Sequence, residues 1–266
     1  MAARFDTHVL ARRSAASFAM WTSATPWPRD GQCAPDARDP RGAMTSIFER
    51  ALGDDFARLS PMMQKRFAVG LDSGYGCVGT GVMSRVRRGP WWVVPFLHIG
   101  KLRNILIPDV GENVPFTIAN YPYRDPFGRE TVTFVREYRV RRTPGRFDAT
   151  MILSNGRIVD YLGTHQHLAV DLTLAVESDG SLHLQSDAQR FYEGRLVAFR
   201  FPMIFSGRAD VRESFDEVKR VYRISVEIRN RVFGFLFGYE GEFTCEFPAA
   251  SNAPDELKPV RHEWRE

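Results

Sequence analysis

The chain has 266 residues, 44% of them hydrophobic and 26% charged, with a net charge of +4. That is the balance of an ordinary globular protein with enough apolar material for a core. The mild charge, with Asp and Glu interspersed among Arg, argues against a nucleic-acid binder, and no apolar run is long enough to span a bilayer as a helix. Three cysteines, Cys33, Cys77 and Cys245, are odd in number and far apart. They announce neither a metal site nor a disulfide framework, and they fit a reducing, cytoplasmic compartment.

Residues 1–43 contain no Lys and no Glu and are rich in Arg, Ala, Ser, Pro and Asp. Such a segment cannot bury enough apolar surface to offset its ordering entropy, so it reads as a disordered extension. Met44 is then a second candidate for the true start. Order signals begin directly after it. Ser46 and Glu49 have the capping-box spacing, Ile47, Phe48, Ala51 and Leu52 form an apolar stripe, and Gly53 ends the turn. Ser60-Pro61 places a cap residue before a proline at a first helical position, with Met62, Met63, Arg66 and Phe67 following. Two short helices are predicted over 46–67.

From Val78 the period changes to two. Residues 80–88 read as a first strand, closed by Gly89-Pro90. The stretch 91–107 holds Trp91, Trp92 and Pro95, with Phe96, Ile99, Leu102, Arg103 and Leu106 roughly on one face. It reads as a helix or loop packed on a sheet. The paired tryptophans near Lys101 and Arg103 also allow a weak membrane-surface element there. A strand through Thr117 and Ile118 turns at 125–128 and returns as 131–140. Asn155-Gly156 is the clearest hairpin signal and joins 150–154 to 157–162. Over 167–177, Leu168, Val170, Leu172, Leu174 and Val176 face one way, and His167, Asp171, Thr173 and Glu177 face the other, toward water. At Ser178-Asp179-Gly180 a three-residue loop sets Val176 opposite Leu182 and Leu174 opposite Leu184, keeping one face apolar. Strands over 221–229 and 239–247 follow. Residues 249–266 read as a disordered polar tail.

These elements predict a mainly β fold. It is an antiparallel β-barrel or strongly curved sheet of about ten strands, preceded by two short helices, with 44–248 as the single domain.

Gly74, Gly76 and Gly79 match G-x-G-x-x-G, but a helix precedes and a strand follows, the reverse of what a dinucleotide site needs. His165, His167 and His183 read as solvated or hydrogen-bonded, so no metal is expected. Arg136 stands out, because its strand face is otherwise Val132, Phe134, Tyr138 and Val140. An arginine in that company must reach water or meet a carboxylate. The candidate partners are Glu112 first, then Asp148 and Asp160. Asp160 shares a face with Met151, Leu153 and Ile158 if the Asn155-Gly156 loop has two residues. With Asn113 and Asn120 at the ends of the stretch 111–120, these residues and Tyr138 form the candidate ligand-binding set. No spacing supports a Ser-His-Asp or Cys-His arrangement, so no catalytic residue and no cofactor are assigned. A polar rim and an apolar interior predict a binding module for an apolar or lipid-like small molecule. An enzyme and a structural interaction domain are the competing classes.

The stretches SIFERALGDDFARLSPMMQKRF (46–67), GENVPFTIAN (111–120), RFDATM (146–151), IVDYLG (158–163) and FLFGYEGEF (235–243) together resemble a bacterial family, domain of unknown function 4166. The resemblance runs from about Thr45 to Phe247. It implies a domain found alone, behind a saccharopine-dehydrogenase-like reductase domain, or behind membrane segments. It therefore adds a reductase as a partner, and a substrate or accessory role in a redox system as an alternative function. It implies no catalytic residues.

Overall fold

The computed structural model describes residues 45–266 except 102–103, 106–108, 141–143, 194–196 and 201–206. The expected extension over 1–43 lies outside the described residues, as do Leu102, Arg103, Leu106 and Ile107. In chain order the elements are α1 (Ile47–Leu52), a 3-10 stretch (Gly53–Arg58), α2 (Pro61–Phe67), β1 (Cys77–Arg88), a 3-10 turn (Trp91–Val93) and α3 (Val94–Lys101). Then come β2 (Gly111–Asn120), β3 (Pro122–Arg124), β4 (Glu130–Tyr138), β5 (Gly145–Ser154), β6 (Arg157–Leu162) and β7 (Leu168–Val176). The last strands are β8 (Leu182–Glu193), β9 (Val197–Arg200), β10 (Arg208–Asp216), β11 (Val221–Asn230) and β12 (Gly234–Glu246).

Ten strands pair in the order β10-β11-β12-β1-β2-β4-β5-β6-β7-β8, and β8 pairs again with β10, so the antiparallel sheet closes into a barrel. Closure removes the open edges that a curved sheet would leave. β3 and β9 stand off the ring, paired to β4 and β8. Most strands run longer than their alternation suggests. β1 begins at Cys77 and β5 at Gly145, because pairing carries the ladder past the apolar residues.

Local turn chemistry sets the hairpin registers. Asn155 and Gly156 have φ of 50° and 75°, and their two-residue turn places Met151 opposite Asp160 and Leu153 opposite Ile158. In the three-residue turn before β8, Gly180 takes φ 77°, and Val176 faces Leu182 while Leu174 faces Leu184. In β7 the register slips between Val170 and Leu172, so strict alternation fails at Asp171. His167, just ahead of that strand, is buried rather than solvent-facing, against the sequence expectation. Its Nδ1 lies 3.0 Å from the Tyr192 carbonyl, and its ring stacks between His165 and Phe191.

The helices cover one barrel mouth, where β1 and β11 begin and β2 and β12 end. Ser46 caps α1 by accepting from the Glu49 N–H at 3.1 Å, and its hydroxyl donates to the Phe67 carbonyl, tying α1 to α2. Ile47, Phe48, Met63 and Phe67 are buried in the main core, and the Tyr222 hydroxyl donates to the Met62 carbonyl. Phe243 and Ile118 fold over β1 because Gly79 has no side chain; a Cβ there would lie 2.6 Å from Ile118 Cγ2. The G-x-G-x-x-G match therefore serves a loop and strand packing, not a strand-to-helix turn.

Residues 249–266, expected as a disordered tail, instead lie along the outer wall. Arg129 donates to the carbonyls of Glu263 and Glu266, and the Glu263 N–H donates to Gln166 Oε1 at 2.6 Å. The buried Glu263 carboxylate receives Arg265 and Arg261. Polar composition misleads here, because the segment is held by charge-assisted bonds rather than by a core. Behind it a second apolar cluster forms on the barrel's outside from Ile152, Val159, Tyr161, Ala169 and Tyr192.

Candidate functional site

The barrel interior holds two polar groups of side chains. The first is built on β4. Phe134, Arg136 and Tyr138 alternate onto the main core, and Arg136 is directly opposite Ile118 on β2 and Phe147 on β5. The Arg136 guanidinium carbon lies 5.0 Å from the Phe147 ring centroid and 5.7 Å from that of Phe134. Arg136 Nε and Nη1 are buried without a hydrogen-bond partner, as is Asp160 Oδ1, while the Tyr138 hydroxyl lies beside that of Tyr239. Burial pushes the Asp160 carboxyl up to about 7, against the lowering effect of the Arg136 charge. Tyr138 packs its ring against Phe116 and Tyr239, each at 5.1 Å between centroids.

The structure brings Arg136, Tyr138 and Asp160 together and separates the other candidates. Glu112 is exposed at the start of β2. Ile118, not Glu112, is opposite Arg136, and the step of six positions from Ile118 to Glu112 spans about 20 Å. Asn113 is exposed with φ 52° and borders a shallow, open depression on the outer wall with Thr80, Val82 and Glu242. Asp148 follows Phe147 and so points to the other side of β5, where it accepts from Arg146 Nε at 2.5 Å and Asn104 Nδ2 at 3.1 Å. Asn120 belongs to the second group.

That second group sits under the helical cap and centres on Arg66 of α2, which is fully enclosed. Arg66 Nε and Nη2 donate to the Glu213 carboxylate at 2.8 and 3.4 Å. Its Nη1 donates to Asn120 Oδ1 at 2.9 Å and approaches Cys77 Sγ at 3.3 Å and Cys245 Sγ at 3.8 Å. Asn120 passes the contact on by donating to the Thr133 carbonyl. The aromatic rings of Phe243, Phe67 and Tyr222 enclose the guanidinium. Sequence reasoning missed Arg66, Glu213, Cys77 and Cys245 as a set. The available signal was Cys245 on the apolar side of its strand. In the sequence Arg66 is only part of the second helix signal, and its partners come from strands far away in the chain.

Among the described residues no group of three or more His, Cys, Asp or Glu is arranged to hold a metal ion. His183 instead lies 3.0 Å from Asp210 Oδ2, through Nε2. No described helix is long and apolar enough to cross a membrane.

The chain is 31% identical over 206 residues to "Uncharacterized protein YndH" of Bacillus subtilis (strain 168), covering 76% of this chain and 98% of that protein. No solved structure matches it. The profile of the family described as Domain of unknown function (DUF4166) matches residues 59–243, from the loop before α2 to Phe243 of β12. With the barrel strands from β1 to β11 inside that match, the chain belongs to this family.

Proposed function

We propose that the barrel is a binding module for an amphipathic, lipid-like small molecule, with Arg136 taking its anionic head. The observation that carries this reading is the set of orphaned polar atoms in one interior, Arg136 Nε and Nη1 and Asp160 Oδ1. Buried polar atoms are nearly always paired. Polar groups so placed beside Phe116, Phe134, Phe147 and Tyr239 suit an anionic head within an apolar surround.

The far mouth of the barrel, opposite the helical cap, supports the same reading. Trp91 is 79% exposed, Trp92 47% and Val232 60%, with Val110 and Phe233 also exposed. Pairing brings these residues to one rim, since the Gly89 N–H donates to the Leu236 carbonyl and Val86 faces Gly111. Exposed Arg87, Arg88 and Arg231 flank them. Aromatic and basic residues on one rim suit contact with an anionic membrane surface, a source of such a ligand.

A second reading, a structural or interaction barrel, is favoured by the packing of Phe116, Tyr138, Phe237, Tyr239 and Phe243, all under 2% exposed. Native mass spectrometry of gently purified protein, followed by titration with a fluorescent long-chain fatty acid, separates the two. Saturable binding that weakens at least tenfold in Arg136→Met is expected. A parent protein that carries no lipid and binds neither fatty acid nor lysophospholipid leaves the structural reading standing.

A further inference from the structure

Independently of ligand binding, we propose that Cys77 and Cys245 are a redox-active pair that closes to a reversible disulfide across the β1–β12 seam when a small hydroperoxide reaches them. Gly79 is opposite Cys245, so Cys77, two residues earlier in β1, is the diagonal neighbour of Cys245 on the same side of the sheet. Both sulfurs converge on one atom, Arg66 Nη1, at 3.3 and 3.8 Å. Both cysteines are free thiols here. Diagonal Cα atoms stand roughly 7–8 Å apart, slightly beyond the usual disulfide range, so closure needs a small inward movement of one strand end. Cys77 is the first residue of β1, so the movement falls on a strand end rather than on the middle of the ladder.

The surroundings divide the labour between the two thiols. Hydrogen bonding from the Cys245 thiol lowers Cys77 most; burial opposes it, the Arg66 charge adds to it, and Cys77 comes down to about 7. Cys245 moves the other way, raised by its bond to Cys77 and by burial. Arg66 cannot turn away, since Glu213 and Asn120 hold its other hydrogens. Cys77, whose sulfur is the nearer to Arg66 Nη1 and is fully buried, is the nucleophile once a small hydroperoxide enters, and the half-buried Cys245 is the resolving thiol.

The reaction balances as follows. The Cys77 thiolate attacks a peroxide oxygen, the O–O bond breaks, and the alkoxide or hydroxide leaves and takes a proton. Cys77 is then a sulfenic acid. The Cys245 sulfur attacks the Cys77 sulfur, the S–O bond breaks, and the departing hydroxide takes the Cys245 proton as water. Two thiols lose two electrons and the hydroperoxide gains them.

The test uses the full chain carrying Cys33→Ser, so that only these two thiols remain. It is treated with hydrogen peroxide, quenched with N-ethylmaleimide under denaturing conditions, and read by intact mass and peptide mapping. The expected result is loss of both alkylation sites, a peptide joining Cys77 to Cys245 within one chain, and a raised melting temperature that dithiothreitol reverses. Cys245→Ser should trap a dimedone-reactive sulfenic acid at Cys77, whereas Cys77→Ser should leave Cys245 unmodified. The proposal is overturned if both thiols still alkylate after free glutathione under the same treatment is fully oxidised. It is equally overturned if the products are sulfinic acids or inter-chain links.

Discussion

Arg136 and Phe147 face each other across the β4–β5 ladder, and the guanidinium carbon lies 5.0 Å from the ring centroid. A cation over an aromatic face recovers part of what burial costs it, but Asp160 is the nearby carboxylate that shapes its field. Arg136→Met should therefore destabilise in a pH-dependent way. Below neutral pH, Asp160 takes up a proton and the loss is small. Above pH 7 the parent releases that proton while the variant, without the Arg136 charge, holds it, so the extra cost should grow by about 1.4 kcal/mol for each pH unit. Denaturant titrations at pH 5.5 and 8 check this, and the double variant Arg136→Met/Asp160→Asn should recover most of the loss at pH 8. A cost equal at both pH values would mean that the two side chains do not interact.

Asp160 carries a prediction of its own. Its carboxyl stands at about 7 in the fold against an ordinary 3.8. Between those values the folded state binds more protons than the unfolded chain, so stability is highest at the acidic end, falls as pH rises to about 7, and is level above it. A shift of this size corresponds to on the order of 4 kcal/mol. Asp160→Asn should remove that component, so the stability of the parent relative to the variant should decline steadily between pH 4 and 7. Parallel pH profiles for the two proteins would contradict it.

The parts of this architecture that could be read from the chain are the local ones. Asn155-Gly156 and Gly180 set their hairpins within a few residues, and the Ser46–Glu49 box marks the first helix. The reading failed where partners are distant. Arg66 meets Glu213 of β10 and Cys245 of β12 only because the strand order sets both strands beside α2, and no local pattern encodes that order. Glu112 was the first expected partner of Arg136, but an apolar alternation gives the face and not the height along the strand. The β2–β4 register decides height, and it puts Ile118 there. Asp148 failed by one residue, since Phe147 takes the inward position.

The Arg66–Glu213 pair should be the most sensitive ionic contact in the molecule, with both side chains at most 3% exposed at 2.8 Å. Removing one partner leaves a buried charge, at a cost of about 3–5 kcal/mol. For a domain of this size that corresponds to a fall of roughly 6–20 °C in Tm. Glu213→Gln and Arg66→Met should each show it in a thermal melt. The double variant Arg66→Met/Glu213→Leu should lose much less than the sum, because no unpaired charge is left. Additive losses would show that the two residues act separately.

The last prediction concerns the strap over 249–266, whose composition suggested that it could be removed. Arg129 donates to the carbonyls of Glu263 and Glu266 as well as to Asp125, and the Tyr192 hydroxyl donates to Glu266 at 2.5 Å. Ala253 and Glu263 are buried, and Tyr161 and Tyr192 lie in the apolar cluster behind the strap. Deleting it would expose two tyrosines that hydrogen-bond to strap or strap-held groups, and a buried aromatic side chain is worth about 1.5–3 kcal/mol. It would also leave the Gln166 side chain without its bond to the Glu263 N–H. A chain of 45–248 should therefore melt well below a chain of 45–266, or aggregate through the uncovered wall of β6 and β8. Arg129→Met in the longer chain should reproduce part of the loss by releasing the strap while keeping its residues present. Superimposable melts for 45–248 and 45–266 would mean that the strap's bonds only replace those it makes with water, and that the barrel's stability resides entirely in its interior.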